Sequence, residues 1–347
     1  MAQLTDVMET YDASAIKEDI SSILYNLDPD ETPVLSNAGR RDIQNTLFQW
    51  QIESLPASAT DNAHIEGAKI LEVDAELDAG TPTTLLNNYT QMSWRNATVS
   101  GTLQSVSQHA KSQEMAHQMA LRSKQLKIDL EKTILSHNPA HAGASGTARK
   151  TESLPHMVGR LGTAGSAWAS TDTSIYIGNA AGGGAATVVA TSNTGAHTDS
   201  TTAAASLDVM TEARFMAVAN GVWDNGGNLD TVVCNGAIKR EISDFAGRSA
   251  SQIIVSPETV ANNVTLVQTD FGDCKVMMDR HMAVTNGVDV GFIDFDYLKI
   301  AFLRPFTRQT LAKQGDADVE NLICEWGIEM SNVQAFGWMF DVNKTYA

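Results

Sequence analysis

The sequence predicts an α+β fold, in which helices and strands are segregated rather than strictly alternating. Three observations predict it. A long helical pattern runs from about residue 103 to residue 135, a helix, a strand and a helix follow one another between residues 206 and 246, and short strand-like runs dominate residues 264–347. With 347 residues, the chain is long enough to bury a sizeable core.

A short amphipathic helix is predicted near the amino terminus, in "SAIKEDISSILYNL" at residues 14–27. The following "DPDETP" ends it, because proline cannot continue a helix and disfavours the helical conformation of the preceding residue. A stripe of apolar side chains on this helix must be covered, either by the same subunit or by a neighbouring one. The stripe consists of Ile16, Ile20, Ile23, Leu24 and Leu27.

Residues 40–95 are predicted to be extended. "TLFQWQIESL" alternates imperfectly between apolar and polar side chains, and "KILEVDAEL" does so at period two. The two runs are interpreted as the sides of a long hairpin or loop. Such a segment buries little of its own apolar surface.

The strongest predicted helix spans residues 103–135 and would be roughly 50 Å long at about 1.5 Å per residue. Asn138 and Pro139 end its pattern. Its apolar positions recur at three- to four-residue spacing or multiples of it: Met115, Met119, Leu126, Leu130 and Ile134.

Residues 139–205 are rich in Ala, Gly, Ser and Thr, which indicates a surface excursion or an inserted element. Within them, "TSIYIGNAAGGGAATVVA" could form a hairpin with a glycine-rich turn. The tail then offers strand-like runs such as "VGFIDF", "LKIAFL" and "ENLICEWGIEM". The six tryptophans are far apart and lack flanking basic clusters, so they are interpreted as packing anchors.

The charge balance disfavours a protein that coats phosphate backbones. There are 41 acidic and 24 basic residues, which gives a formal net charge of −17. Cys234, Cys274 and Cys324 form no CxxC pair and are expected to be buried, reduced thiols. No segment approaches the roughly 20 apolar residues of a membrane-spanning helix.

Motifs for catalysis are mostly missing from the sequence. It has no GxxxxGK[ST] loop, and the glycines of "AAGGGAA" lack the Rossmann spacing. Glu114 and His117 form one ExxH pair, whereas a carboxylate-bridged di-iron site needs a second ExxH and two further glutamates. No catalytic residue, cofactor or metal site is therefore expected, although a metal-dependent enzyme using this pair remains an alternative.

Several stretches, taken in order, resemble the major capsid (head) proteins of tailed bacteriophages, which share the Hong Kong 97 fold. "TPVLSNAG", "NTLFQWQIESL" and "AHIEGA" are similar to the start of one branch of these proteins. "GNLDTVVCNGAIKREISDF" resembles the axial-domain strand and helix, and residues 295–337 resemble the return to the peripheral domain. None of these motifs is a catalytic signature.

The resemblance implies a domain order: an N-terminal arm at 1–44, an extended E-loop at 45–95, a peripheral domain with the long spine helix at 96–160, an insertion or loop at 161–205, an axial domain at 206–290 and a return to the peripheral domain at 291–347. In this fold the arm and the E-loop reach across neighbouring subunits. The subunit contacts implied for this chain are Ile16, Ile20, Leu24, Leu27, Trp50, Glu66 and Lys69.

The implied function is that of a structural protein, not an enzyme. Many copies would assemble through pentamers and hexamers into an icosahedral shell around the double-stranded DNA of a tailed phage. Its implied partners are copies of itself, a portal, and scaffold or decoration proteins, without a membrane. The protein would be made in the host cytoplasm and reside in the virion. An encapsulin-like cargo shell and a tail-tube or decoration protein remain alternatives.

Overall fold

The computed structural model describes residues 28–53, 55, 60, 63, 66–67, 83–106, 111, 113–161, 176–177, 210–245, 253–256, 259–261, 265–282, 288–313 and 315–342. Its helices are α1 (Pro33–Asn37), α2 (Gly101–Ser105), α3 (Glu114–Leu135), α4 (Leu154–Leu161), α5 (Glu212–Asp224) and α6 (Gly236–Ser243).

The strands fall into two larger sheets and two pairs. The first sheet has the order β1-β12-β13-β4 and contains β1 (Gly39–Asp42), β4 (Gln91–Ser100), β12 (Leu298–Thr310) and β13 (Ala317–Met330). The second has the order β5-β14-β11-β6-β10-β9 and contains β5 (Tyr176–Ile177), β6 (Thr231–Cys234), β9 (Leu266–Thr269), β10 (Gly272–Met278), β11 (Val288–Ile293) and β14 (Gly337–Val342). The pairs are β2 (Leu47–Ile52) with β3 (Thr84–Tyr89), and β7 (Ile253–Ser256) with β8 (Thr259–Ala261).

Helix α3 packs against the four-stranded sheet. Its buried side chains include Met119, Leu126, Leu130 and Ile134, which recur on one face because the helix repeats every 3.6 residues. Glu131 lies among them and is fully buried. The sheet and helix share one hydrophobic core with β2 and α4.

The six-stranded sheet lies between two cores. Phe292 contributes to a core built with α5 and α6, whereas its neighbour Ile293 contributes to the core around α3. In the same way, Val232 belongs to the core with α5 and α6 and Val233 to the core around α3, because successive side chains of a strand point to opposite faces. A sheet covered on both faces needs apolar residues on both, and β6 and β11 are accordingly buried along their whole length.

The β2–β3 hairpin covers the part of the four-stranded sheet nearest the core. Phe48 and Trp50 stack with ring centroids 5.9 Å apart. The Phe48 ring lies directly over Gly327 of β13, where an added Cβ would lie 2.6 Å from a ring carbon. Only glycine permits so close an approach between the strand and the ring.

The predicted α+β class is confirmed, together with the helix–strand–helix order of α5, β6 and α6 and the strands of the tail. The prediction for the long helix is wrong in its first part. Val106 and Gln113 have extended backbone, so α2 is separate and α3 begins at Glu114. With 22 residues, α3 is about 33 Å long. The predicted arm helix and the "KILEVDAEL" run lie outside the described residues.

Candidate assembly surface

The outer face of the four-stranded sheet is open beyond the β2–β3 hairpin. Side chains alternate along β4, so Met92 and Trp94 point outward while Ala97 and Val99 point towards α3. The register places Ile323 beside Trp94 and Thr307 beside Ile323. We call this surface the open sheet face, and it comprises Met92, Trp94, Asn96, Thr98, Thr307, Gln309, Val319, Asn321 and Ile323.

The open sheet face is uncharged and partly apolar. Trp94 is 53% exposed and Met92 is 51% exposed. No member of the face carries a charge, and the charged pair Arg304 and Glu325 borders it at Met92, where Arg304 lies 3.4 Å from the Met92 sulfur. Exposed apolar side chains grouped among neutral polar ones make this surface a candidate interaction site.

An ion-pair cluster separates the open sheet face from the covered part of the sheet. Glu325 is buried and accepts hydrogen bonds from Arg149, from Arg304 Nε at 3.0 Å and from Thr90 Oγ1 at 3.1 Å. Arg149 Nε also donates to the Thr90 carbonyl at 2.7 Å. Because these partners come from β12, β13 and two loops, they fix the relative positions of the strands that form the face.

The inner side of β4 is held against α3. Arg95 Nε donates to Asp129 Oδ2 of that helix at 2.6 Å, and Trp326 Nε1 donates to Ser93 Oγ at 3.1 Å. The Asp129 carboxylate raises the pKa of Arg95 further. With its inner side chains anchored, β4 presents its outer ones in a fixed arrangement.

A cavity of about 780 Å³ lies on the inner side, between α2, the start of α3 and strands β12 and β13. Its charged side chains are paired, with Lys111 on Glu114 at 3.0 Å and Arg308 on Glu320 at 2.5 Å. Hydrogen bonds from Gln118 and Lys111 lower the pKa of Glu114. Its ion pairs account for the cavity's polarity.

The predicted contact residues are dispersed or lie outside the described residues. Trp50 belongs to the core of its own subunit and is 8% exposed, so little of its side chain is accessible to a partner. Glu66 is exposed. The arm residues Ile16, Ile20, Leu24 and Leu27, as well as Lys69, lie outside the described part of the chain. Their roles as contacts stay predictions.

Among the five tryptophans in the described residues, two differ from the expectation that all are packing anchors, and Trp168 lies outside the described part of the chain. Trp326 and Trp338 are fully buried, but Trp94 is half exposed and Trp223 is 57% exposed. Trp94 lies at an outward position of β4. Trp223 lies in the last turn of α5, where the centroid of its ring is 5.9 Å from that of Phe271. The period-two alternation of "QMSWRNATVS" could have placed Trp94 on the face of Met92, but it does not tell which face is covered.

The three cysteines are buried and free, as expected. Burial raises the pKa of Cys234 to about 12, that of Cys274 to about 11 and that of Cys324 to about 12. The described residues form no group of three or more His, Cys, Asp or Glu side chains able to hold a metal ion. Among the same residues, no helix has the length and apolar character to span a membrane.

A family model described as the SU10 major capsid protein matches residues 4–343. The chain belongs to the SU10 major capsid protein family. This capsid protein is 29% identical over 175 residues to the major capsid protein of Escherichia phage Phieco32, a match that covers 45% of this chain and 48% of that protein. The chain thus spans about half the length of the curated relative it matches.

Solved structures share the fold of this capsid protein at low sequence identity. A chain from Microbacterium phage Oxtober96 is 10% identical, covers 94% of this chain and 95% of its own length, and gives a TM-score of 0.57. The capsid of a native GTA particle is 12% identical with 94% of each chain covered and a TM-score of 0.56. The SrpI encapsulin of Synechococcus elongatus PCC 7942 is 8% identical, covers 96% of this chain and 94% of its own, and gives 0.52.

These findings confirm the predicted family and the Hong Kong 97 fold. They also confirm that this capsid protein is not an enzyme, because its family consists of structural proteins. The alternative of a metal-dependent enzyme using Glu114 and His117 is therefore wrong. In the structure the Glu114 carboxylate binds Lys111 and Gln118 instead.

Proposed function

We propose that the chain is the subunit of a tailed-phage head shell, in which many copies assemble through pentamers and hexamers into an icosahedral container for double-stranded DNA. The family assignment over residues 4–343 carries the proposal. A portal, and scaffold or decoration proteins, would bind the shell in the virion, after synthesis of the subunit in the host cytoplasm. The net charge of −17 suits a container that does not adsorb its DNA.

The domain order is part of the same proposal. Two cores, one around α3 and one around α5 and α6, support a peripheral domain at 96–160 and 291–347 and an axial domain at 206–290, although Phe292, Met339 and Val342 of the return belong to the core around α5 and α6. The arm at 1–44, the E-loop at 45–95 and the insertion at 161–205 follow from the resemblance to phage head proteins.

The open sheet face is the contact that we assign to a second copy of the chain. Burying apolar surface gains about 25 cal/mol per Å², and tryptophan is enriched among the residues that dominate interface energies. Trp94 lies on the edge strand of the sheet, between Met92 and Asn96 on its own strand and beside Ile323 on the next. Because no member of the face is charged, its burial leaves no unpaired charge, and its amide and hydroxyl groups would need hydrogen-bond partners on the second copy.

The test is assembly of the full-length chain, followed by electron microscopy and light scattering. We expect closed shells from the unmodified chain and from Trp94→Tyr, which keeps an aromatic ring. Trp94→Glu should remain folded by circular dichroism but fail to form shells, because burial of an unpaired carboxylate at the contact is costly. Shells from Trp94→Glu that match those of the unmodified chain would reject the assigned contact.

The contents of the particles test the container itself. Nucleic acid in particles isolated from infected cells supports a head shell. Protein cargo without DNA would instead indicate the encapsulin-like alternative. The SrpI encapsulin shares the fold of this chain, so the fold is compatible with that alternative. Rings or tubes in place of closed shells would contradict both.

A further inference from the structure

A buried carboxyl group on α3 binds the short helix that precedes β1. Glu131 is fully buried, and its two carboxylate oxygens accept the backbone N–H groups of Val34 at 2.7 Å and Leu35 at 2.8 Å. Those N–H groups belong to the first turn of α1, which has no side-chain cap of its own. Glu131 therefore fastens residues 33–37 to the long helix.

A second buried carboxyl group meets the first. Asp279 follows β10 directly and is 1% exposed, and it adds to the effect of burial in raising the pKa of Glu131. Asp279 Oδ1 accepts the backbone N–H of His281 at 2.7 Å, and its own N–H donates to the Cys234 carbonyl at 3.0 Å. The buried Oδ2 atom receives no hydrogen bond from any donor in the described residues.

One proton shared between the two carboxyl groups satisfies this arrangement. Two ionised carboxylates in contact and away from water repel each other, whereas a protonated one donates a hydrogen bond to the other. Asp279 is the titratable group that acts on Glu131 from the facing strand, while α1 contributes only backbone N–H groups. Exposed charges flank the pair on its own segments, with Lys127 and Lys132 on α3 and Arg280 beside Asp279.

We propose that Glu131 and Asp279 form a proton-dependent latch that fastens residues 33–37 to α3 and to the end of β10, and that loss of the shared proton releases this segment. The segment lies between the N-terminal residues and β1, which pairs in parallel with β12. The latch therefore controls how the segment that precedes β1 is held on the body of the subunit.

The direction of the pH dependence follows from the proton balance. Burial, together with Asp279 and against the lowering effect of the two N–H donors, raises the pKa of Glu131 from 4.5 to about 8. Glu131 therefore keeps a proton while the segment is fastened and gives it up when the segment is released and water reaches the carboxyl group. The latch contributes its full stability below about pH 4.5 and loses it progressively as the pH rises towards about 8.

Hydrogen exchange of the full-length chain tests the latch. We expect the protection factors of the Val34 and Leu35 amides to fall roughly 10- to 100-fold between about pH 6 and about pH 9, after correction for intrinsic exchange. The amides of α3 around Leu130 should keep their protection over the same range. Constant protection at Val34 and Leu35 would overturn the proposal.

Substitution of the facing carboxyl identifies the proton. In Asp279→Asn a neutral amide donor replaces the facing carboxyl group and favours ionised Glu131, so the loss of protection at Val34 and Leu35 should move to lower pH. Asp129→Asn on the same helix is the matched control and should keep the pH dependence, because Asp129 pairs with Arg95 at the surface. An Asp279→Asn variant with unchanged pH dependence would overturn the latch.

A spectroscopic measurement on the unmodified chain keeps the proposal testable if Asp279→Asn misfolds. The infrared band of a protonated carboxyl group should be present at about pH 6, decrease towards about pH 9, and be reduced in Glu131→Gln. If Glu131→Gln leaves that band unchanged, the proton is not on this pair. None of these measurements depends on whether shells form, so they fail or succeed separately from the proposed function.

Discussion

The two parts of the outer face of the four-stranded sheet differ in what covers them. Around Gly327 the face lies under Phe48 of the β2–β3 hairpin, and the ring approaches so closely that a methyl group does not fit. Around Trp94 the same sheet is open. One strand, β13, runs through both parts. The subunit itself covers the outer face of this strand at one end and leaves it open at the other.

The largest loss in the free energy of unfolding should appear when an aromatic ring is removed from the covered part. Phe48→Ala removes a buried ring that stacks on Trp50, and we expect the free energy of unfolding to fall by about 3–5 kcal/mol. Denaturant titration of the unassembled subunit measures it. A loss below about 1 kcal/mol would mean that the hairpin does not cover the sheet in solution.

A smaller effect is expected where a side chain is added beneath the ring. Gly327→Ala places a Cβ against Phe48 and near the Tyr89 carbonyl, and overpacking of this kind costs about 1–3 kcal/mol. Gly236→Ala is the control, because nothing lies within 4 Å of its added Cβ. Thermal unfolding of the two variants should therefore differ, with only Gly327→Ala lowered in Tm. Equal midpoints would contradict the close contact.

The smallest effect on the isolated subunit is expected in the open part. Trp94 is half exposed, so Trp94→Ala should change the free energy of unfolding by less than about 1 kcal/mol. In the same denaturant titration, this variant and Phe48→Ala provide the direct comparison. A loss as large as that of Phe48→Ala would show that Trp94 is covered within its own subunit, and the open sheet face would not be free to bind a second copy.

The sequence predicted much of the fold because local patterns decide it. The spacing of Leu126, Leu130 and Ile134 placed the buried face of α3 correctly, since a helix repeats every 3.6 residues. The start of that helix was missed, because extended backbone at Val106 and Gln113 interrupts a stretch whose composition still suits a helix. Element boundaries depend on backbone conformation that side-chain periodicity does not report.

The surface and the latch could not be predicted from the sequence because both depend on contacts between distant segments. The alternation around Trp94 defines two faces of β4, but only the packing of α3 on one of them shows which stays open. Glu131 lies within a predicted helix and Asp279 in a tail of short strands, and nothing in either local pattern indicates that they meet. Only the fold brings the two carboxyl groups close enough to share a proton.

Burial of the three cysteines protects their thiols from oxidation and disulfide exchange. Thiolates, not thiols, attack disulfides and oxidants, and burial raises the pKa of Cys234 and Cys324 to about 12. In the proposed function the subunit is made in the reducing interior of a cell and persists in the virion outside it, where disulfides form readily. With its thiols protonated and enclosed, the same covalent chain serves in both environments, and ageing in air does not add cross-links through these side chains.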